Sequence, residues 1–260
     1  MQSNNHDNIL AKWSNHHPQF RHIVEDVLCV MYTKEWVGKI LTSLEQNDKA
    51  HQPDHVLGVT LEAERIIDDN PELKPFRFEI ITAAFLHDIG CRVDRATHHE
   101  IGAEYVMNDE FLSARVNYDT RLIISGAILK HRASWTGCDR TDIEDVVAAA
   151  DRGEPNIKRY LKRACLYRYG QYESERGVNC VVTEAEVDEI VNASIDHLRD
   201  KFGPDGYVWA KYPRYGLKYY SKVIKEIKDK LSNDISDDNK AYIKGLYLHA
   251  KRNFYNWIKQ

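Results

Sequence analysis

Apolar residues recur along most of the chain with a helical period, while the alternation expected of strands is almost absent. Residues 56–67 bring Leu57, Leu61 and Ile66 near one face, with Glu62, Glu64 and Arg65 on the other. Residues 79–89 are apolar nearly all round, the pattern of a central buried helix, and Gly90 is its expected stop. Further helices are predicted over 99–112, 121–131 and 142–151, the last opened by a capping box of Thr141 and Glu144. A second box, Thr183 with Glu186, opens a helix that buries Val187, Ile190, Val191 and Ile195. Residues 216–231 and 238–259 close the chain as two amphipathic helices.

Breaks fall at Gln52-Pro53-Asp54, Asn70-Pro71-Glu72, Gly153-Glu154-Pro155, Gly203-Pro204-Asp205-Gly206 and Tyr212-Pro213. None is long enough to be a domain linker, and no internal repeat occurs. The pattern predicts an all-α protein.

Composition narrows the class. With 43% hydrophobic and 29% charged residues, the 260-residue chain is too apolar for disorder and has no run long enough for a membrane span. The first seven residues carry neither a basic nor an apolar segment, so a cytoplasmic location is expected. The five cysteines are scattered with no CxxC pair, the pattern of plain thiols. Net charge is uneven: residues 1–155 hold 16 Lys+Arg against 26 Asp+Glu, and residues 156–260 hold 20 against 14. The second region also holds 12 of the 15 tyrosines. Its interleaved bases and aromatics (Arg163, Tyr167, Arg168, Tyr169, Tyr172, then Lys211, Tyr212, Arg214, Tyr215) predict a helical cap that contributes to substrate choice. Added core or a homodimer face is the alternative use of these helices. A pI near 6.3 gives no basic footprint for duplex nucleic acid.

The candidate chemistry lies in histidines and acids at predicted helix ends: His55, His87-Asp88, His98, His131 and Asp151. An apolar face that ran on through His87 and Asp88 would be costly unless both were paired or metal-bound. Neutral imidazoles with carboxylates suit Fe, Mn, Zn or Ni, and a bridging carboxylate suits two ions.

These residues resemble the signature of the HD-domain superfamily of metal-dependent phosphohydrolases. His87-Asp88-Ile89-Gly90 is similar to a common form of the His-Asp motif. His98-His99-Glu100-Ile101-Gly102-Ala103 resembles the His-x-x-x-Gly-Ala segment of the dinuclear subgroup. Ala127-Ile128-Leu129-Lys130-His131 resembles its Ala-Ile-x-x-His segment. Ala150-Asp151-Arg152-Gly153-Glu154-Pro155 looks like the ending of bacterial diadenosine-tetraphosphate-type HD hydrolases. After His55, where those hydrolases usually carry a basic residue three positions on, this chain has Gly58.

The resemblance implies an HD helical bundle over residues 51–165, with an N-terminal helical extension (1–50) and a C-terminal cap (166–260). It implies metal ligation by His55, His87, Asp88, His98, His131 and Asp151, with His99 as the register alternative to His98. Two divalent ions, Fe or Mn before Zn, Ni, Co or Mg, would activate water against a phosphate ester or anhydride of a nucleotide or similar small molecule. Asp88, Lys130 and Arg132 would serve catalysis, and Arg92, Lys130, Arg132 and Arg152 would contact the phosphate. The alternative is a mixed-valence di-iron oxygenase of the same fold acting on a small oxygen-rich substrate. A non-enzymatic nucleotide sensor is a third reading, against which the intact ligand set argues.

Overall fold

The computed structural model describes residues 3–47, 51–232 and 236–259, and among these every regular element is helical. The chain divides into two compact units, one of residues 1–153 with 213–218 and one of residues 154–212 with 219–260.

The first unit contains α1 (Ser3–Asn15), a π-helical turn (His22–Leu28) running into α2 (Cys29–Met31), α3 (Lys34–Leu44), α4 (Pro53–Asp68) and α5 (Arg77–Leu86). It continues with α6 (His98–Asn108), α7 (Glu110–Arg115), α8 (Tyr118–Lys130) and α9 (Asp142–Arg152). Its centre is α5, whose residues Ile80 to Leu86 are all buried, as an all-round apolar helix requires. Helices α4, α8 and α9 pack against α5, and α6 packs on α8.

Four details differ from the sequence pattern. The central helix ends at Leu86, and His87 to Val93 form successive turns in which Ile89 N–H donates to the Leu86 carbonyl and Cys91 N–H to that of Asp88. Gly90 is not a left-handed stop; a Cβ there would lie 2.4 Å from the carbonyl oxygen of His98 and 2.9 Å from Ile101 Cβ. It is a close-approach glycine that lets the start of α6 sit on the His-Asp turn. The stretch 99–112 is two helices, because Asp109 leaves the helical conformation and caps α7 by accepting from Leu112 N–H. Finally, Glu64 is buried on α4, held by the Arg77 guanidinium and by His22 Nε2 at 3.1 Å. An acid on the buried side of a helix needs such partners.

The second unit packs α10 (Ile157–Arg176), α11 (Glu184–Phe202) and α13 (Asp237–Ile258) on one another, and residues 219–230 of α12 (Arg214–Lys230) belong to it. Leu161 and Cys165 from α10, Val187, Val191 and Ile195 from α11, and Leu246, Ala250 and Phe254 from α13 supply its core at helical spacing. The Thr183–Glu186 capping box is present, as is the Thr141–Glu144 box of α9.

The short segment 213–218 belongs to the first unit by specific contacts. Arg214 pairs with Asp142 at 2.7 Å, Tyr215 N–H donates to Asp145 Oδ2 at 3.0 Å, and Lys218 Nζ donates to Asn70 Oδ1 at 2.5 Å. None of the described helices is long and apolar enough to cross a membrane.

Candidate metal centre

Five turns or helix ends deliver the histidines and acids to one place. His55 sits in the first turn of α4, which Pro53 opens by presetting a helical φ. His87 and Asp88 occupy the turn after α5, His98 opens α6, His131 follows α8, and Asp151 lies in the last turn of α9. His87, Asp88, His98 and His131 are buried, while His55 and Asp151 are partly open to solvent.

Asp88 is the hub. Its Oδ2 lies 3.4 Å from His55 Nε2 and 3.1 Å from His87 Nε2. Asp151 Oδ1 completes that side, 3.2 Å from His55 Nε2 and 3.7 Å from His87 Nε2. The other oxygen, Oδ1, lies 3.5 Å from His98 Nε2 and 4.0 Å from His131 Nε2. One carboxylate thus faces two donor sets, one per oxygen.

The three buried rings are oriented alike. His87, His98 and His131 each donate Nδ1–H to the backbone carbonyl three residues back, on Ala84 (2.8 Å), Arg95 (2.7 Å) and Ile128 (2.6 Å). That fixes the tautomer and turns each Nε2 lone pair to the centre, the usual support of a metal-ligating histidine. The Nε2 atoms of His98 and His131 then stand 3.1 Å apart with their lone pairs facing, which calls for a cation or a proton between them.

Donor spacing tests the fit to an ion. An ion bonded at about 2.1 Å holds neighbouring donors about 3.0 Å apart at right angles and about 3.4 Å apart at tetrahedral angles. On the Oδ2 side the 3.1, 3.2 and 3.4 Å separations fall in this range, and the 3.7 Å between His87 Nε2 and Asp151 Oδ1 lies beyond it. Asp88 Oδ2 is also buried without a hydrogen-bond partner, an orphan a cation would satisfy. Both donor sets can hold a metal ion.

Electrostatics divides the cluster in the same way. Burial works against charge on His55, yet Asp151 and Asp88 hold the ring up to about 9. Burial likewise opposes a charged His87, and Asp88 outweighs it. Although desolvation opposes charge on both, Asp88 is pulled well below the usual carboxylate range by His87 and His55, and Asp151 is pulled down chiefly by His55. On the Oδ1 side, burial reinforced by His87 pushes His131 down to about 3, and burial lowers His98.

A metal entering the Oδ2 side must therefore displace the His55 proton at any pH below about 9. Affinity should fall as pH falls, by about tenfold per pH unit for one displaced proton. Mn²⁺ titrations at about pH 6.5 and about pH 8.5 should then differ by about a hundredfold, with tighter binding at the higher pH. Equal affinity at the two would refute a proton-held site.

The ends of α8 and α9 are tied together beside the cluster. Glu144 accepts Thr141 N–H in the capping box at 2.8 Å, and its other oxygen accepts Lys130 Nζ at 2.7 Å. Arg140 brackets His131, donating to the carbonyls of Lys130 (2.8 Å) and Arg132 (3.1 Å). Glu144→Ala loses both the cap and the ion pair, and should destabilise the chain by about 2 kcal/mol in denaturant unfolding.

The sequence candidates separate on geometry. His55, His87, Asp88, His98, His131 and Asp151 converge. His99 does not: its Nδ1 faces Arg132 Nη1 at 3.4 Å and its Nε2 lies 3.8 Å from Glu100 Oε1. Among the cations, Lys130 pairs with Glu144, Arg92 donates to Gln46 Oε1 at 3.3 Å, and Arg132 donates to the Ala96 carbonyl. Arg132 is close enough to lower His98 further. Arg152 is half-buried at the end of α9.

Three residues outside the sequence candidates also reach Asp88. Cys91 Sγ donates to Asp88 Oδ1 at 3.4 Å, and His51 lies with Cys91 and Asp88 in a third donor group. Asn47 Nδ2 donates to the carbonyls of both His51 (2.8 Å) and Asp88 (3.0 Å). The His51-x-x-x-His55 spacing was the one cue available.

The family model that matches the chain is the HD domain, over residues 54–166, and the buried His/Asp cluster fits that superfamily. No curated protein and no solved structure matches the chain.

Proposed function

We propose that residues 54–166, as an HD domain, form a two-metal phosphohydrolase site acting on a nucleotide or similar small phosphate compound. The observation that carries this reading is the division of donors by Asp88. His55, His87 and Asp151 stand on its Oδ2 side, and His98 and His131 on its Oδ1 side. Fe or Mn are the ions this imidazole–carboxylate set is assigned.

Divalent ions held there supply positive charge for phosphate oxygens and make water acidic near neutral pH. The chain's own residues do the remainder. Asp88 bridges and fixes the spacing of the two donor sets. The carbonyls of Ala84, Arg95 and Ile128 keep three imidazoles neutral at Nε2 and correctly turned. Arg132, beside His98, is assigned to the substrate phosphate with Arg92 and Arg152. Lys130, through Glu144, holds the end of α8 that presents His131.

The test is phosphate release from a panel of nucleoside mono-, di- and triphosphates, dinucleoside polyphosphates and cyclic dinucleotides. Protein loaded with Mn²⁺ or Fe²⁺ is assayed with and without dioxygen. Release from a few members, independent of oxygen, is expected. Fully metallated protein that releases no phosphate, or that consumes oxygen to act, would refute the reading.

A further inference from the structure

Asp88 faces a third set of donors outside the two described. A ring nitrogen of His51, Cys91 Sγ and an Asp88 carboxylate oxygen all lie within 4.8 Å of one another. Cys91 and Asp88 are buried and His51 is half-buried. The Sγ to Oδ1 distance is 3.4 Å. A tetrahedral ion with a sulfur bond of about 2.3 Å and an oxygen bond of about 2.0 Å sets those two donors about 3.5 Å apart.

The backbone around this set is held from the inside. Asn47 is buried and clamps the carbonyls of His51 and Asp88 with its amide nitrogen, while its Oδ1 is buried without a hydrogen-bond partner. A buried amide oxygen left in that state is uncommon in a protein interior.

The donor chemistry differs from that of the neighbouring sets. Those offer imidazole and carboxylate only, whereas this one adds a sulfur. Thiolate with imidazole favours Zn²⁺ and its relatives, while carboxylate-rich sites accept Mn²⁺ and Mg²⁺.

We propose that His51, Cys91 and Asp88 Oδ1 form a third metal site, selective for thiophilic divalent ions and next to the two-metal centre. The proposal rests on the two-metal reading in one respect, since Asp88 serves both.

The test uses the full chain, stripped of metal and titrated with Co²⁺ or with Mn²⁺. The expected result is three tight equivalents of Co²⁺ but two of Mn²⁺, with a thiolate-to-cobalt charge-transfer band in the near ultraviolet. Cys91→Ser should lose the band and one Co²⁺ equivalent while keeping both Mn²⁺ equivalents. His51→Ala should lose the same Co²⁺ equivalent, and because His51 is half-buried it carries the test if the cysteine variant misfolds.

Two Co²⁺ equivalents without the band would overturn the third site and leave the two-metal reading standing. A band lost in Cys91→Ser at unchanged stoichiometry would make the thiolate a ligand of the Oδ1 ion and equally overturn a separate site. No tight binding of either metal would overturn both readings.

Discussion

Asp88→Asn should retain its helical circular dichroism, bind little metal, and lose at least about 10³-fold in kcat, the equivalent of about 4 kcal/mol of lost charge stabilisation. The reason is the position of the carboxylate. Both oxygens face imidazole nitrogens within 4.0 Å, so one substitution weakens both donor sets. Asparagine keeps the shape but supplies one neutral oxygen, and it removes the charge that raises the His55 and His87 imidazoles. Metal analysis of the purified variant checks the first half, and turnover of whichever panel member the parent accepts checks the second. A fully active Asp88→Asn protein would refute the metal centre.

Gly90→Ala should cost about 2–3 kcal/mol of stability and on the order of 10²-fold in activity, although no ligand is altered. The new Cβ would stand 2.4 Å from the His98 carbonyl oxygen, and backbone cannot swing aside as a flexible side chain can. Relief requires α6 to retreat from the His-Asp turn, carrying His98 Nε2 away from His131 and Asp88. Gly58→Ala is the control: nothing lies within 4 Å of a Cβ there. Within α4 the same exchange should stabilise the chain by about 0.5–1 kcal/mol. Denaturant titration of both variants, with metal content measured alongside, separates a general loss of stability from a displaced His98. Equal behaviour of the two would refute the close-approach role.

Much of the helical framework was legible because its causes are local. A capping box needs residues three apart, so Thr141–Glu144 and Thr183–Glu186 could be recognised without tertiary knowledge. The all-round apolar stretch ending at Leu86 had to be buried wherever it packed. The break at Asp109 was less visible, because an acid suits either a helix interior or a cap, and its choice follows from its bonds to Trp36, Tyr105 and Leu112. Glu64 shows the same limit: its buried face becomes tolerable only where Arg77 and His22 meet it.

The sequence by itself determined an all-α protein and six histidines and acids at helix ends, because helical period and end signals are properties of neighbouring residues. The tertiary structure decided which of those side chains face each other, that the two oxygens of Asp88 divide them, and that His98 rather than His99 turns inward. It also brought in His51, Cys91 and Asn47, and gave Gly90 a packing role instead of a stop. These outcomes depend on distances between segments far apart in the chain, and no local pattern encodes such a distance.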